Sequence, residues 1–305
     1  MKKKVLSLLT LFLACGLALP AQPASPAALV PQDAQWVLHL DVREFVSTQL
    51  FDLLKNDHGS KLDRLNAKIS EKLKIDLLKD IDGVTIFGIG KGRSNAVVCL
   101  AGNLDKNYLL SLLAQDKSHR EIPYGKHRIH SWQSSHCGAF ANNRLVLLGS
   151  DEDAIKNALD VIDGKKKNMT GSPLMSYWRD IPPRAFLKAA AYNISSLTHD
   201  HDTSAILKKA GMAFFMALEK NETLKLKLKL TTDTPETAKN IEQIVMGFMA
   251  LARMKHNEKE PSKHMKFFKL LESLQIKVEG KVVQMELSQP STGLAAMLSH
   301  GRMDW

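Results

Sequence analysis

Residues 223–245 read TLKLKLKLTTDTPETAKNIEQIV, and the fold follows from this stretch. Leu224, Leu226, Leu228 and Leu230 alternate with Lys225, Lys227 and Lys229. Strict alternation is the signature of a β-strand with one buried and one wet face. Thr234, Pro235 and Glu236 then supply a capping hydroxyl, a proline suited to the first helical position and an acid for the first turn. From there Ile241, Ile244, Val245, Phe248, Leu251 and Ala252 recur at helical spacing and predict one core-facing stripe. The unit is strand, short turn, amphipathic helix.

The same unit occurs earlier in the chain. NAVVCLAGNLDKNYLLSLLAQ, from Asn95, reads as a strand, a cap at Asp105 and a helix buried through Tyr108, Leu109, Leu112 and Leu113. A second pair corresponds in the same way. RLVLLGSDEDAIKNALDVI, from Arg144, is a strand and a helix with acids in its first turn and Ile155, Ala158, Leu159 and Ile162 inward. VVQMELSQPSTGLAAML, from Val282, is again strand, polar turn and short helix. Each half opens with an apolar strand, near Trp36 and near Phe186, and the polar, proline-containing run DGKKKNMTGSPLMSYWRDIPPR stands between them. Gly90-Lys91-Gly92 and Glu279-Gly280-Lys281 are turn signals of antiparallel hairpins.

The expected fold class is therefore α+β, with two related units, each an antiparallel sheet with helices packed on one face. The expected boundaries are a signal peptide over 1–21, an N-terminal linker over 22–35 and a first unit over 36–164. A linker over 165–183, a second unit over 184–300 and a tail over 301–305 follow. ALVPQDAQWVLHLDVREF, LLKDIDGVTIFGIG, LVLLGSDEDAIKNALDVIDGK and SPLMSYWRDIPPRAFLKAAA together resemble an uncharacterised family of secreted bacterial proteins built from two repeated α+β units. The resemblance covers most of the chain after the leader. It implies a fold and transfers no active site.

The chain begins with Lys2, Lys3 and Lys4, an apolar run from Val5 to about Leu19, then small residues and prolines, the form of a bacterial secretory signal. The run is shorter than the roughly 20 residues that span a bilayer. The expected localisation is secreted or periplasmic, with cleavage near Ala18 or Ala21. Phe12-Leu13-Ala14-Cys15 resembles a lipobox and sets the alternative, a lipoprotein anchored through Cys15. If Cys15 is removed, Cys99 and Cys137 remain in an oxidising compartment, as a disulfide if their strands are neighbours or as two buried thiols.

The formal charge is +10, and removal of the three leader lysines leaves 10 − 3 = +7. Such a charge draws anionic partners such as lipopolysaccharide, acidic glycans or a surface protein. Aromatic residues make up 6% of the chain and do not cluster, so stacking platforms for bases are absent and nucleic acid is not expected.

The alternating lysines are the first candidate site. A wet sheet face is the expected reading of this pattern, unless a neighbouring strand adds to them. KHRIHSWQ, which places Lys126, Arg128, His130 and Trp132 on one face, is the strand that would do so. Trp132 and Trp178 are the candidate exposed aromatics. A metal site is sought at His199, Asp200 and His201, whose nitrogen and oxygen ligands suit a divalent ion. A loop capped by Asp202 or Thr203 is the alternative there. Cys137 beside His136 is not a thiol nucleophile with its base, because adjacent strand residues point to opposite faces. The glycines of GIGKGRSN, from Gly88, lead into a second strand rather than a helix and so form a hairpin instead of a phosphate loop. Asp80, Asp82 and Asp151 to Asp153 fall where capping accounts for them.

No nucleophile elbow, zinc-protease helix or Walker loop occurs, and no cofactor is expected. The expected function is a secreted or periplasmic, non-enzymatic binding protein for an anionic envelope component, a glycan or a cell-surface protein. The alternatives are a metal-dependent hydrolase using His199, Asp200 and His201, and a purely structural envelope protein.

Overall fold

The computed structural model describes residues 25–89, 95–133, 135–194, 209–256 and 273–300. The leader, Cys15, the Gly90-Lys91-Gly92 turn and the stretch from His199 to Thr203 lie outside the described residues.

The fold is α+β. Twelve strands form one antiparallel sheet: β1 (Trp36–Asp41), β2 (Ile81–Gly88), β3 (Ala96–Gly102), β4 (Arg120–Tyr124), β5 (His127–Trp132), β6 (His136–Asn142), β7 (Leu145–Gly149), β8 (Ala185–Tyr192), β9 (Ala210–Lys220), β10 (Thr223–Thr232), β11 (Leu274–Glu279) and β12 (Val282–Pro290). Their spatial order is β11-β12-β10-β9-β8-β1-β2-β3-β7-β6-β5-β4. Both halves of the chain share this sheet through β1 and β8, which pair antiparallel from Trp36↔Ala191 to Leu40↔Leu187. Joining two sheets there pairs two rows of backbone amides and carbonyls that would otherwise be open edges. Outward from this seam both halves follow one route. Three strands run consecutively, a helical connection leads to the outer edge, and the last strand returns beside the third.

The helices are α1 (Pro26–Leu29), α2 (Val42–Val46), α3 (Gln49–Leu73), α4 (Lys106–Leu113), α5 (Glu152–Ile162), α6 (Met175–Trp178), α7 (Pro235–His256) and α8 (Ser291–His300), with a 3₁₀ turn at Met169–Gly171. Their starts obey local capping. Asp105 accepts the Tyr108 amide, Asp151 that of Asp153 and Thr234 Oγ1 that of Thr237. Glu219 of β9 caps α3 from a distance, its two oxygens taking the amides of Gln49 (2.7 Å) and Leu50 (2.9 Å). Asp80 accepts the Asp76 amide, as a turn residue does. Asp82 does not cap: it is buried and pairs with both Arg43 and Arg144.

Directly paired residues point to the same side of a sheet, so register assigns two faces. On the front face Val37, Phe87, Val97, Cys99, Leu147 and Ile129 pack under α5, the 3₁₀ turn and Trp178 of α6. On the back face Leu40, Val84, Leu100 and Val146 meet α2 and α4. Further along the back, Leu224 and Leu226 meet α3 and α8, and Leu228 and Leu230 meet Ala238 and Ile241 of α7. The first half therefore carries helices on both faces, which corrects the one-sided layer expected there. In the second half the described helices pack on the back face, where all four leucines of the opening stretch point.

The stripe expected on α7 is half correct. Ile241 is buried and Val245 packs beside it, but Ile244, Phe248 and Leu251 are exposed, with Met246 and Met254. The helix has 22 residues, about 33 Å, and its first half, through Ala238, Ile241 and Val245, is what packs with Leu228, Leu230 and Val283 of the sheet.

Candidate functional site

The register carries the lysine strand onto the front face. Lys227 lies opposite Met216 on β9 and Glu286 on β12, and Lys229 lies opposite Phe214 and Gln284. The same row of paired residues continues through Lys188, His39, Thr85, Cys99, Leu147 and Ala139 to Ile129. At its first-half end this row is roofed by α5, and at its second-half end it is open among the described residues. There a groove of about 900 Å³ runs over the sheet. Met216 and Leu218 make its floor, Pro182 and Pro183 one wall, and Arg184, Lys220, Lys225 and Lys227 its cations.

The charges of the groove do not cancel. Two carboxylates line it, Glu219 and Glu286, and both are engaged. Glu219 holds the first amides of α3 and the Ser291 hydroxyl. Glu286 takes Lys227 Nζ at 2.6 Å and Gln284 Nε2 at 2.7 Å. The Lys227 hydrogen bond, above all, holds the Glu286 carboxyl below its ordinary range. Lys229 is placed 5.3 Å over the ring of Tyr177, a cation–π contact. Tyr177 is fixed in turn by the Thr231 hydroxyl and by the Phe214 ring. Arg184, Lys220 and Lys225 are exposed and make no ion pair with a described residue. One lysine of the three is thus neutralised, one is seated on an aromatic ring, and one faces solvent beside two cations absent from the sequence expectation.

The second basic strand does not join them. Arg128, His130 and Trp132 point to the back face, since their neighbour Ile129 belongs to the front core. β5 lies eight strand positions from β10, about 38 Å at the usual spacing. Each predicted residue is also engaged nearby. Lys126 pairs with Asp163 at 2.9 Å, and Arg128 with Glu121 at 2.8 Å. Buried His130 meets His119 at 3.0 Å, and Trp132 stacks on His136. The expected platform of Lys126, Arg128, His130 and Trp132 is corrected on these grounds. Trp178, expected as an exposed aromatic, is buried under the front core.

The two thiols are free and buried, the second of the two readings, and the disulfide alternative is excluded. Cys99 pairs with Leu147 and Cys137 with Gly149, so β7 stands between them. Two strand spacings are about 10 Å, beyond the roughly 7 Å that a disulfide spans. Burial pushes the Cys99 thiol up to about 12 and, first among its causes, the Cys137 thiol up to about 11. Both stay protonated and unreactive near neutral pH. β2 and β3 pair antiparallel from Gly88↔Ala96, so the glycine-rich GIGKGRSN segment joins two neighbouring strands.

No family model matches the chain, and no curated protein does. Solved structures are similar in fold. Crystal form III of TP0453, a Treponema protein, is 11% identical, with a TM-score of 0.50 over 90% of this chain and 98% of that one. Crystal form IV is 12% identical, with a TM-score of 0.50 over 90% of this chain and 96% of that one. At this identity the likeness shows the α+β fold alone. Among the described residues no helix is long and apolar enough to cross a membrane.

Proposed function

We propose that this is a secreted or periplasmic, non-enzymatic binding protein whose ligand is an anionic envelope component held in the front-face groove. One observation carries the reading: of the two acids lining the groove Glu219 is committed to the start of α3 and Glu286 to Lys227, while Arg184, Lys220 and Lys225 make no ion pair with a described residue. Cations at a rim attract phosphate or carboxylate groups, and the Met216, Leu218 and proline surfaces supply the apolar contact that gives such a site affinity. An anion with an apolar portion, such as lipopolysaccharide, fits both features better than a purely polar acidic glycan. The basic leader and apolar run support the extracytoplasmic location. The common strand route of the two halves supports a repeated plan, with 36–164 and 184–300 as related units that share a sheet.

Thermal melts of the chain lacking residues 1–21, with lipopolysaccharide, an acidic polysaccharide and a neutral polysaccharide, test this. A ligand at a hundredfold excess over Kd stabilises by about 2.7 kcal/mol. The expected result is a raised midpoint with lipopolysaccharide, reduced when Arg184 and Lys225 are both changed to Ser. An equal rise in the double variant, or none with any anion, would remove the groove as the site.

A further inference from the structure

A second cluster lies on the back face at the opposite edge of the sheet. His119 immediately precedes β4, Glu121 follows two residues later, and His130 of β5 is the direct cross-strand partner of Glu121. Alternation puts His119 and Glu121 on one side of the strand, and register adds His130 to them. One ligand atom from each of the three lies within 4.8 Å of the other two. His119 Nε2 and His130 Nδ1 are 3.0 Å apart.

We propose that His119, Glu121 and His130 form a binding site for a divalent transition metal of the zinc class. Zinc–imidazole bonds are about 2.0–2.1 Å, so two nitrogens on one ion stand roughly 2.9 Å apart at a right angle and roughly 3.4 Å apart at the tetrahedral angle. The observed 3.0 Å falls within that interval. Two imidazoles and a carboxylate form a donor set that selects zinc, iron, cobalt or nickel over magnesium and calcium. His130 is buried, which fixes its ring in place. Arg128 Nη1 holds Oε2 of Glu121 at 2.8 Å and so orients the carboxylate. Three protein ligands leave a coordination position for water or an anionic group. Glu121 and His130 also line a cavity of about 440 Å³ with Lys106 and Phe140, which gives that position access. Lys106 and Arg128 oppose a cation by charge and favour an anionic fourth ligand. The ion would tie the edge strand β4 and its preceding turn to β5.

The test is titration of untagged protein with Zn(II) by calorimetry, and with Co(II) followed by visible absorption. The expected result is one ion per chain at this site. His119→Ala should weaken binding at least a hundredfold and Glu121→Gln about tenfold, while the exposed control His136→Ala leaves it unchanged. Both test positions are at least partly exposed, so the variants should fold, and a circular-dichroism melt checks this. Unchanged affinity in folded His119→Ala would overturn the proposal. So would loss of the bound ion on changing His199 and His201 instead, or failure of the parent protein to bind either metal.

Discussion

Acidification should destabilise this protein through one histidine at the sheet centre. His39 lies in the front-face row between Thr85 and Lys188, its Nδ1 2.9 Å from Thr85 Oγ1. Burial first, and then the charge of Lys188, lower its pKa from 6.5 to about 4. The unfolded chain therefore takes up a proton at a higher pH than the folded chain does. Protonation favours unfolding, so stability is lost as pH falls from 6.5 towards 4 and is fully present above 6.5. A shift of about 2.5 units at 1.36 kcal/mol each corresponds to a loss of about 3 kcal/mol. Urea unfolding at pH 7 and pH 4 measures it, with His39→Gln as the comparison because glutamine keeps a hydrogen-bonding end for Thr85 and does not titrate. The parent should lose about 3 kcal/mol more than the variant between these two pH values. Lys188→Met should raise the folded-state pKa of His39, so that the loss becomes smaller than the parent's and is complete at a higher pH. Equal losses in parent and His39→Gln would refute the reasoning.

Three further outcomes follow from local geometry. The β9–β10 turn places Asn221 and Glu222 both at positive φ, 50° and 58°, where a two-residue hairpin prefers Asn-Gly; Glu222→Gly should stabilise by about 0.5–1 kcal/mol in urea unfolding. Glu219→Gln removes a carboxylate from the N-terminus of α3 and should cost on the order of 1–2 kcal/mol, measured as a lowered melting midpoint. Asp163 is held well below the usual carboxylate range by Lys126 first, and by His127 and Lys165. Its stabilisation is present above about pH 4 and is lost as pH falls through its lower folded value, so the stability gap between parent and Asp163→Asn should narrow below about pH 4.

How far the sequence could be read depended on whether a feature was local. The Leu224–Leu230 alternation, the Thr234 start of α7 and the caps at Asp105 and Asp151 are local, and the structure has them as expected. The 165–183 segment reads as linker because lysines and prolines dominate it, yet Met169, Leu174 and Trp178 from it roof the front core. Period alone does not show whether a strand's second face meets helix or water, so Arg128 and His130 read as wet when one is paired and the other buried. Lys220 joins the groove through the β9–β10 hairpin, and Arg184 because it leads into β8, which pairs with β9; alternation within β10 encodes neither neighbour. The His119, Glu121 and His130 cluster had a partial signal in its i, i+2 spacing on β4, but its third member depends on hairpin register. The Leu/Lys contrast of the opening stretch placed Lys225 and Lys227 of the groove without that information.

The most direct test of the groove is an equilibrium titration of lipopolysaccharide against the chain lacking residues 1–21 at low and high salt, repeated for Lys225→Ser/Lys227→Ser/Lys229→Ser. Each lost charged contact is worth about 1.5–3 kcal/mol, less what Lys227 already gives to Glu286. The account predicts parent binding that weakens with salt, and a folded triple variant weaker by at least about a hundredfold, close to 3 kcal/mol. Equal affinity in parent and folded variant, or parent affinity indifferent to salt, would contradict it.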